Sequence, residues 1–335
     1  MVVNETIYSL FASISGAVLV FGVLVNGVVC STFLVYRSLL SKENILIFSM
    51  ALSDFLCCAI AVPTSLISNI KKKWVFGDVG CQIHALVVTW CGLISITHFT
   101  ALSFIRYRIL NALPDKIQMH RGFVYWAVAL WGYSFIFAIA PVLGWSRYVK
   151  EGIGTSCSVD WKASVSDVNA VSYTASLFVG CFVVPLAIII FSLCKIYRIV
   201  KEITEKAKHT WGRQSVFAKQ TAKVETKMAI LLFAMVVAFL VAWLPYSTVS
   251  LICVFGGCHW VSPLLASAPA YLAKSSTLYN PILYFFMYRR FRVRVLRLAR
   301  SGRAVFRRSN IRSTERTTGQ FKMSKIDIEI KTTQS

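Results

Sequence analysis

Seven long apolar stretches, nearly free of charge, alternate along this chain with short polar and mostly basic connections. They run Ile7–Tyr36, Asn44–Ile70, Cys81–Ile105, Gly122–Ser146, Val168–Cys194, Met228–Cys258 and Val261–Tyr288. A bilayer-spanning helix needs roughly 20 predominantly apolar residues, and each stretch is long enough. The pattern predicts an all-α membrane protein, a bundle of seven transmembrane helices. After the last stretch, Phe291, Val295, Leu298 and Ala299 recur at helical spacing between arginines. That spacing predicts a short amphipathic helix on the cytoplasmic membrane surface. The expected organisation is an extracellular N-terminus (1–6), a membrane domain (7–288), the amphipathic helix (289–301) and a polar, Ser/Thr-rich, disordered cytoplasmic tail (302–335) with phosphorylation sites.

Composition agrees with the pattern. The chain is 56% hydrophobic and 15% charged, with a mean hydropathy of +0.64, whereas soluble domains are about a quarter charged. The net charge of +22 changes the picture through its distribution. Of 36 lysines and arginines, 14 follow Tyr288 and 9 lie between Lys195 and Lys227. Another 6 (Arg37, Lys42, Arg106, Arg108, Lys116, Arg121) border the first and third connections. These fall on one face of a seven-span protein, so the C-terminus is expected in the cytoplasm and the N-terminus outside, in the plasma membrane. The basic face suits anionic lipid and a cytoplasmic protein partner. Nucleic acid is not expected as a partner, because it leaves the seven spans unexplained. No basic n-region precedes the first stretch, so that stretch is expected to serve as its own insertion signal. Asn4-Glu5-Thr6 is a glycosylation sequon on the outer side. Cys81 and Cys157 also lie on that oxidising side, which suits a disulfide between them. Cys253 and Cys258 stand too near the outer end of the sixth stretch to assign from sequence, and no metal site is expected.

Within the spans only Asp54, His84, His98 and Lys274 are ionisable among acids, bases and histidines. Lys274 stands near the middle of its stretch. A lysine there costs about 2.5–3.5 kcal/mol by insertion scales. A buried carboxylate, a hydrated cavity or a covalent linkage has to offset that cost. A desolvated lysine is also a nucleophile that attacks carbonyls. Asn26, Asp54 and Asn280 fall on three different spans and suggest one buried polar cluster. Pro185, Pro245 and Pro281 each free a backbone carbonyl that a polar neighbour must satisfy.

These residues resemble the rhodopsin-like (class A) G-protein-coupled receptors over about residues 8–300. The marks are Asn26, Leu52–Asp54, Cys81, Arg106-Tyr107, Trp131, Cys157, Pro185, Trp243–Pro245 and Asn280-Pro281-Ile282-Leu283-Tyr284. Lys274, six residues before Asn280, resembles the retinal-attachment lysine of opsins, and the outer loop Gly144–Cys157 also looks opsin-like. Trp74–Gly77 and the TSC ending at Cys157 look most like neuropsin-type non-visual opsins. The resemblance implies 11-cis or all-trans retinal held on Lys274 as a Schiff base, with no catalytic residues of an enzyme. It implies a pocket of Gly92, Phe178, Phe182, Phe239, Trp243 and Tyr246. It further implies a heterotrimeric G protein as partner, with arrestin and a receptor kinase.

A protonated Schiff base needs an anion. The span-three position that carries a glutamate in many visual opsins is His84 here, and Glu151 matches the loop counterion of bistable opsins. Glu151 is the expected counterion. The rival is a neutral Schiff base, with His84 cationic, hydrogen-bonded or merely packed. Two departures bear on signalling. The acid that usually precedes Arg106 is Ile105, which leaves Glu225 as a partner within reach. The tyrosine expected eight residues after Pro185 is Leu193. The alternative to a signalling receptor is therefore a retinal photoisomerase or storage opsin.

Overall fold

A computed structural model describes residues 4–40, 44–111, 120–163, 167–209 and 213–300. The first three spans are α1 (Glu5–Val35), α2 (Asn44–Ile70) and α3 (Gly77–Asn111), and the fourth is α4 (His120–Ile139). The fifth consists of α5 (Val168–Phe178), a π turn at Val179–Val183 and α6 (Val184–His209). The sixth is α7 (Arg213–Val254). The seventh is α8 (Pro263–Ser275), a 3-10 turn at Ser276–Leu278 and α9 (Tyr279–Met287). α3 runs through the middle of the bundle, packing on α2, α4, α6 and α7.

Six helices among the described residues are each long and apolar enough to cross a membrane. The seventh crossing is the broken one, its parts α8 and α9 each too short alone. Helix ends differ from the apolar stretches for local reasons. α1 starts at Glu5, before Ile7, because Asn4 caps it: its side-chain oxygen accepts from the Thr6 N–H at 3.1 Å. α4 stops at Ile139 instead of continuing to Ser146, since the residue before Pro141 disfavours helical backbone. α6 and α7 carry the fifth and sixth spans well past the apolar core into charged sequence.

Two of the prolines come with identifiable substitutes for their missing N–H. Pro281 cannot donate to the Thr277 carbonyl one turn back. The Asn26 amide does so instead, at 3.0 Å. Just before Pro185 the π turn leaves the Gly180 carbonyl facing α4, where the Tyr133 hydroxyl donates to it at 2.9 Å.

The all-α expectation needs one addition. The outer connection folds as a hairpin, β1 (Tyr148–Glu151) antiparallel to β2 (Ser156–Val159), with Glu151 opposite Ser156 and Lys150 opposite Cys157. Cys157 is disulfide-bonded to Cys81, which holds β2 against α3. Tyr148, Cys157 and Val159 bury into an apolar cluster with Trp74, Ala85 and Tyr173. The turn lies so close to α8 that a Cβ on Gly152 (φ +55°) would stand 2.0 Å from Ser267 Oγ and 2.9 Å from the Pro263 carbonyl. Cys253 and Cys258 form a second disulfide.

Residues 289–300 form a helix within a separate unit, Arg289–Ser335. The expected tail, 302–335, lies outside the described residues, as do Lys42 and Lys116.

Candidate functional site

The hairpin closes the outer end of a cavity between α3, the fifth span, α7 and α8. Gly92, Phe178, Phe182, Phe239, Trp243 and Tyr246, singled out in the sequence, all line it. So do Glu151 and Lys274. The aromatic wall is continuous: Phe239 stacks on Trp243 at 5.6 Å, Trp243 meets Tyr246 edge-on at 6.1 Å, and Phe178 meets Phe182 at 6.4 Å. Gly92 lets Trp243 approach α3, since a Cβ there would fall 2.6 Å from the indole. The indole N–H donates to Ser276 in the 3-10 turn of the seventh span at 3.0 Å.

Lys274 is 7% exposed. Its amine lies 5.0 Å from the Tyr271 ring centre and donates to Ser156 Oγ at 2.7 Å. His84 does not line the cavity. It sits behind Ser156, with Nε2 at 3.2 Å from the serine oxygen and Nδ1 at 2.7 Å from Thr64 Oγ1. Sequence reasoning missed Ser156 and Thr64. Adjacency to Cys157 is the one signal that marks Ser156, because the disulfide fixes its place; nothing in the sequence marks Thr64.

Glu151 Oε2 is 3.5 Å from the Tyr246 hydroxyl, which itself accepts from the Trp161 indole at 3.1 Å. Glu151 Oε1 is buried with no hydrogen-bond partner among the described residues. Nor is an ion pair between Glu151 and Lys274 present among them. Burial pushes the Glu151 carboxyl above its ordinary value of 4.5, and the Lys274 charge and bonds from Ser158 and Tyr246 oppose that rise. The fold therefore favours the protonated acid. Stability from this group is full below the ordinary carboxylate range and is lost as pH rises through the raised value. The ligand-free protein should lose thermal stability across that window. Glu151→Gln should flatten the loss, a difference on the order of a few °C. Identical slopes in a thermal-shift series would remove Glu151 as its source.

At the inner half of the bundle the expected three-residue cluster divides. Asn280 donates to Asp54 at 3.3 Å and Tyr284 donates to Asn44 at 3.5 Å. Asn26 belongs elsewhere: its amide serves the Gly22 and Thr277 carbonyls. Arg106 reaches Glu225 at 3.3 Å, both side chains being mostly buried, while Ile105 packs in the core. Tyr107 meets Phe191 edge-on at 5.6 Å, and Leu193 is half-buried. Asn4 is exposed. No group of histidine, cysteine and acidic side chains able to hold a metal occurs among the described residues.

A buried amine at one end of an aromatic cavity, inside a seven-helix bundle with a disulfide-tied hairpin, defines a class. The family described as 7 transmembrane receptor (rhodopsin family) matches residues 25–284, and the chain belongs to it, within its opsins. Pinopsin of Columba livia is 33% identical over 87% of this chain and 81% of its own length. Melanopsin of Phodopus sungorus is 34% identical over 82% of this chain, which spans 59% of that relative. The crystal structure of squid rhodopsin superposes with a TM-score of 0.81 at 30% identity, covering 88% of this chain and 85% of that one.

Proposed function

We propose that this protein is a light-sensing G-protein-coupled receptor, a non-visual opsin that holds retinal covalently on Lys274. The observation that carries this reading is one buried lysine at the end of an apolar, aromatic cavity that also holds a carboxylate with one oxygen buried. Retinal fits these residues: its aldehyde matches the amine, its polyene matches the aromatic wall, and its charged linkage would use the unpartnered Glu151 oxygen. Bound retinal supplies an imine linkage and a polyene that isomerises on absorbing light. Glu151 is the counterion in this reading, with Tyr246 and Trp161 orienting it. Trp243, in contact with α3 at Gly92 and bonded to Ser276, passes a change in cavity shape to the seventh span.

At the inner face Arg106 and Glu225 hold α3 to α7 in the resting arrangement. Separating them opens the basic cytoplasmic side to a heterotrimeric G protein, with arrestin and a receptor kinase acting on the same side. The protein sits in the plasma membrane with its N-terminus outside, glycosylated at Asn4, and helix 289–300 lies on the inner surface. Ile105 and Leu193, which lack the polar groups usual at these positions, favour a second reading as a retinal photoisomerase or storage opsin.

Light-dependent nucleotide exchange on a panel of G proteins, run beside chromatography of the retinal isomers, separates the two. The receptor reading expects light-dependent exchange. It also expects Glu225→Gln to raise exchange in the dark several-fold, because one side of a two-state balance loses its ion pair. Isomer conversion with no exchange on any G protein would leave the photoisomerase reading.

A further inference from the structure

The hydrogen bonds behind Lys274 run in one direction only. Thr64 Oγ1 spends its single hydrogen on the Ala61 carbonyl at 2.7 Å, so it can only accept from His84 Nδ1. Neutral His84 then carries its proton on Nδ1 and has a free lone pair on Nε2. Ser156 donates its hydroxyl hydrogen to that lone pair, which leaves the serine oxygen to accept from Lys274 Nζ. His84, Ser156 and Lys274 are 1%, 4% and 7% exposed, so bulk water does not compete for these contacts.

We propose that Ser156 and His84 are the acid–base relay of Lys274, making its nitrogen a nucleophile for attachment of an aldehyde. The proposal rests on the reading of Lys274 as the attachment site. In the forward direction an Nζ–H bond breaks and its proton passes to Ser156 Oγ, while the serine's own hydrogen moves to His84 Nε2. The lysine becomes a neutral amine and His84 a cation, with no electrons gained or lost. The freed lone pair forms the N–C bond to the aldehyde carbon. One of the two hydrogens left on the nitrogen moves to the carbonyl oxygen, and the proton held on His84 returns through Ser156 to that same oxygen. The C–O bond breaks, water leaves with both hydrogens and the imine nitrogen keeps one, so charge is conserved and attachment needs no proton exit. Ser156 touches the reacting nitrogen, and His84 acts through it. The other titratable groups facing Lys274 are Glu151 from the hairpin, Cys57 from α2 and Tyr271 from α8 itself. Among the described bonds Glu151 is joined to Tyr246 and not to Lys274, so it stands outside the relay.

The test uses ligand-free protein and formaldehyde with a borane reductant, reading methylation of Lys274 by peptide mass spectrometry across pH. Ser156→Ala and His84→Gln should each slow Lys274 labelling at neutral pH on the order of tenfold or more and move its pH profile upward. Ser156→Thr should recover most of the rate, and exposed Lys71 and Lys73 should label equally in all variants. In native protein, nitrogen NMR of labelled histidine should show His84 with its proton on Nδ1. An unchanged Lys274 profile in both variants, or an Nε2-protonated His84, overturns the relay. The NMR measurement decides even where a variant fails to fold. Absence of pigment with retinal alongside the expected labelling would sink the retinal reading and leave the relay standing.

Discussion

Lys274→Ala, incubated with 11-cis or all-trans retinal, should form no pigment. This is the largest effect expected, because the linkage needs a nitrogen at that point and the nearest alternatives cannot supply one. Ser156 and Tyr271 around it carry no nitrogen in their side chains, and His84 lies behind Ser156. The substitution should not unfold the protein. A lysine within a span costs about 2.5–3.5 kcal/mol, so its removal offsets much of the packing it takes away. Glu151, left without a facing cation, can remain protonated. Comparison with Lys274→Ala/Glu151→Gln separates any charge effect on folding from loss of the attachment point. The measurement is a difference spectrum with and without hydroxylamine. A normal spectrum in Lys274→Ala would exclude covalent attachment here.

Glu151→Gln, which keeps the shape and the Tyr246 contact, should move absorption strongly towards the ultraviolet at neutral pH. A protonated imine is a buried cation, and an opposing charge within ~4–6 Å raises its pKa by about 1–3 units. Among the described residues Glu151 is the only acidic side chain lining the cavity. His84, behind Ser156, is a base and adds no negative charge. Loss of Glu151 therefore leaves the cation with no compensation, and the neutral imine is favoured. Titration of the visible band should show its pKa fall in the variant. An unshifted band would remove Glu151 as counterion.

The seven crossings were readable because a bilayer demands long apolar runs, and composition alone reveals those. Lys274 was readable for the same reason: a charge is conspicuous where every neighbour is apolar. The cavity residues came from resemblance and were found lining one space, because a shared family preserves which helix faces point inward. The sequence did not show the hairpin. Its strands are four residues each; in β1 only Tyr148 is buried and Lys150 on the same face is exposed, while β2 is buried at three of four positions, so no clear alternation announces them. It also grouped Asn26 with Asp54, whereas Asn26 replaces the donor that Pro281 lacks. That role depends on α1 standing beside the broken seventh span.

The chain by itself determined the membrane class, the seven crossings and the one lysine that must react or be paired. Those follow from transfer energies summed along local sequence. Only the tertiary structure decided that Ser156 stands between Lys274 and His84, that Glu151 sits opposite Ser156 yet bonds to Tyr246, and that Glu225, a candidate partner by sequence, comes to 3.3 Å from Arg106. A hydrogen bond depends on ångström-scale placement of groups 72 to 119 positions apart in the chain. The Cys81–Cys157 disulfide, the hairpin register and the helix crossings set that placement, and no local pattern encodes it.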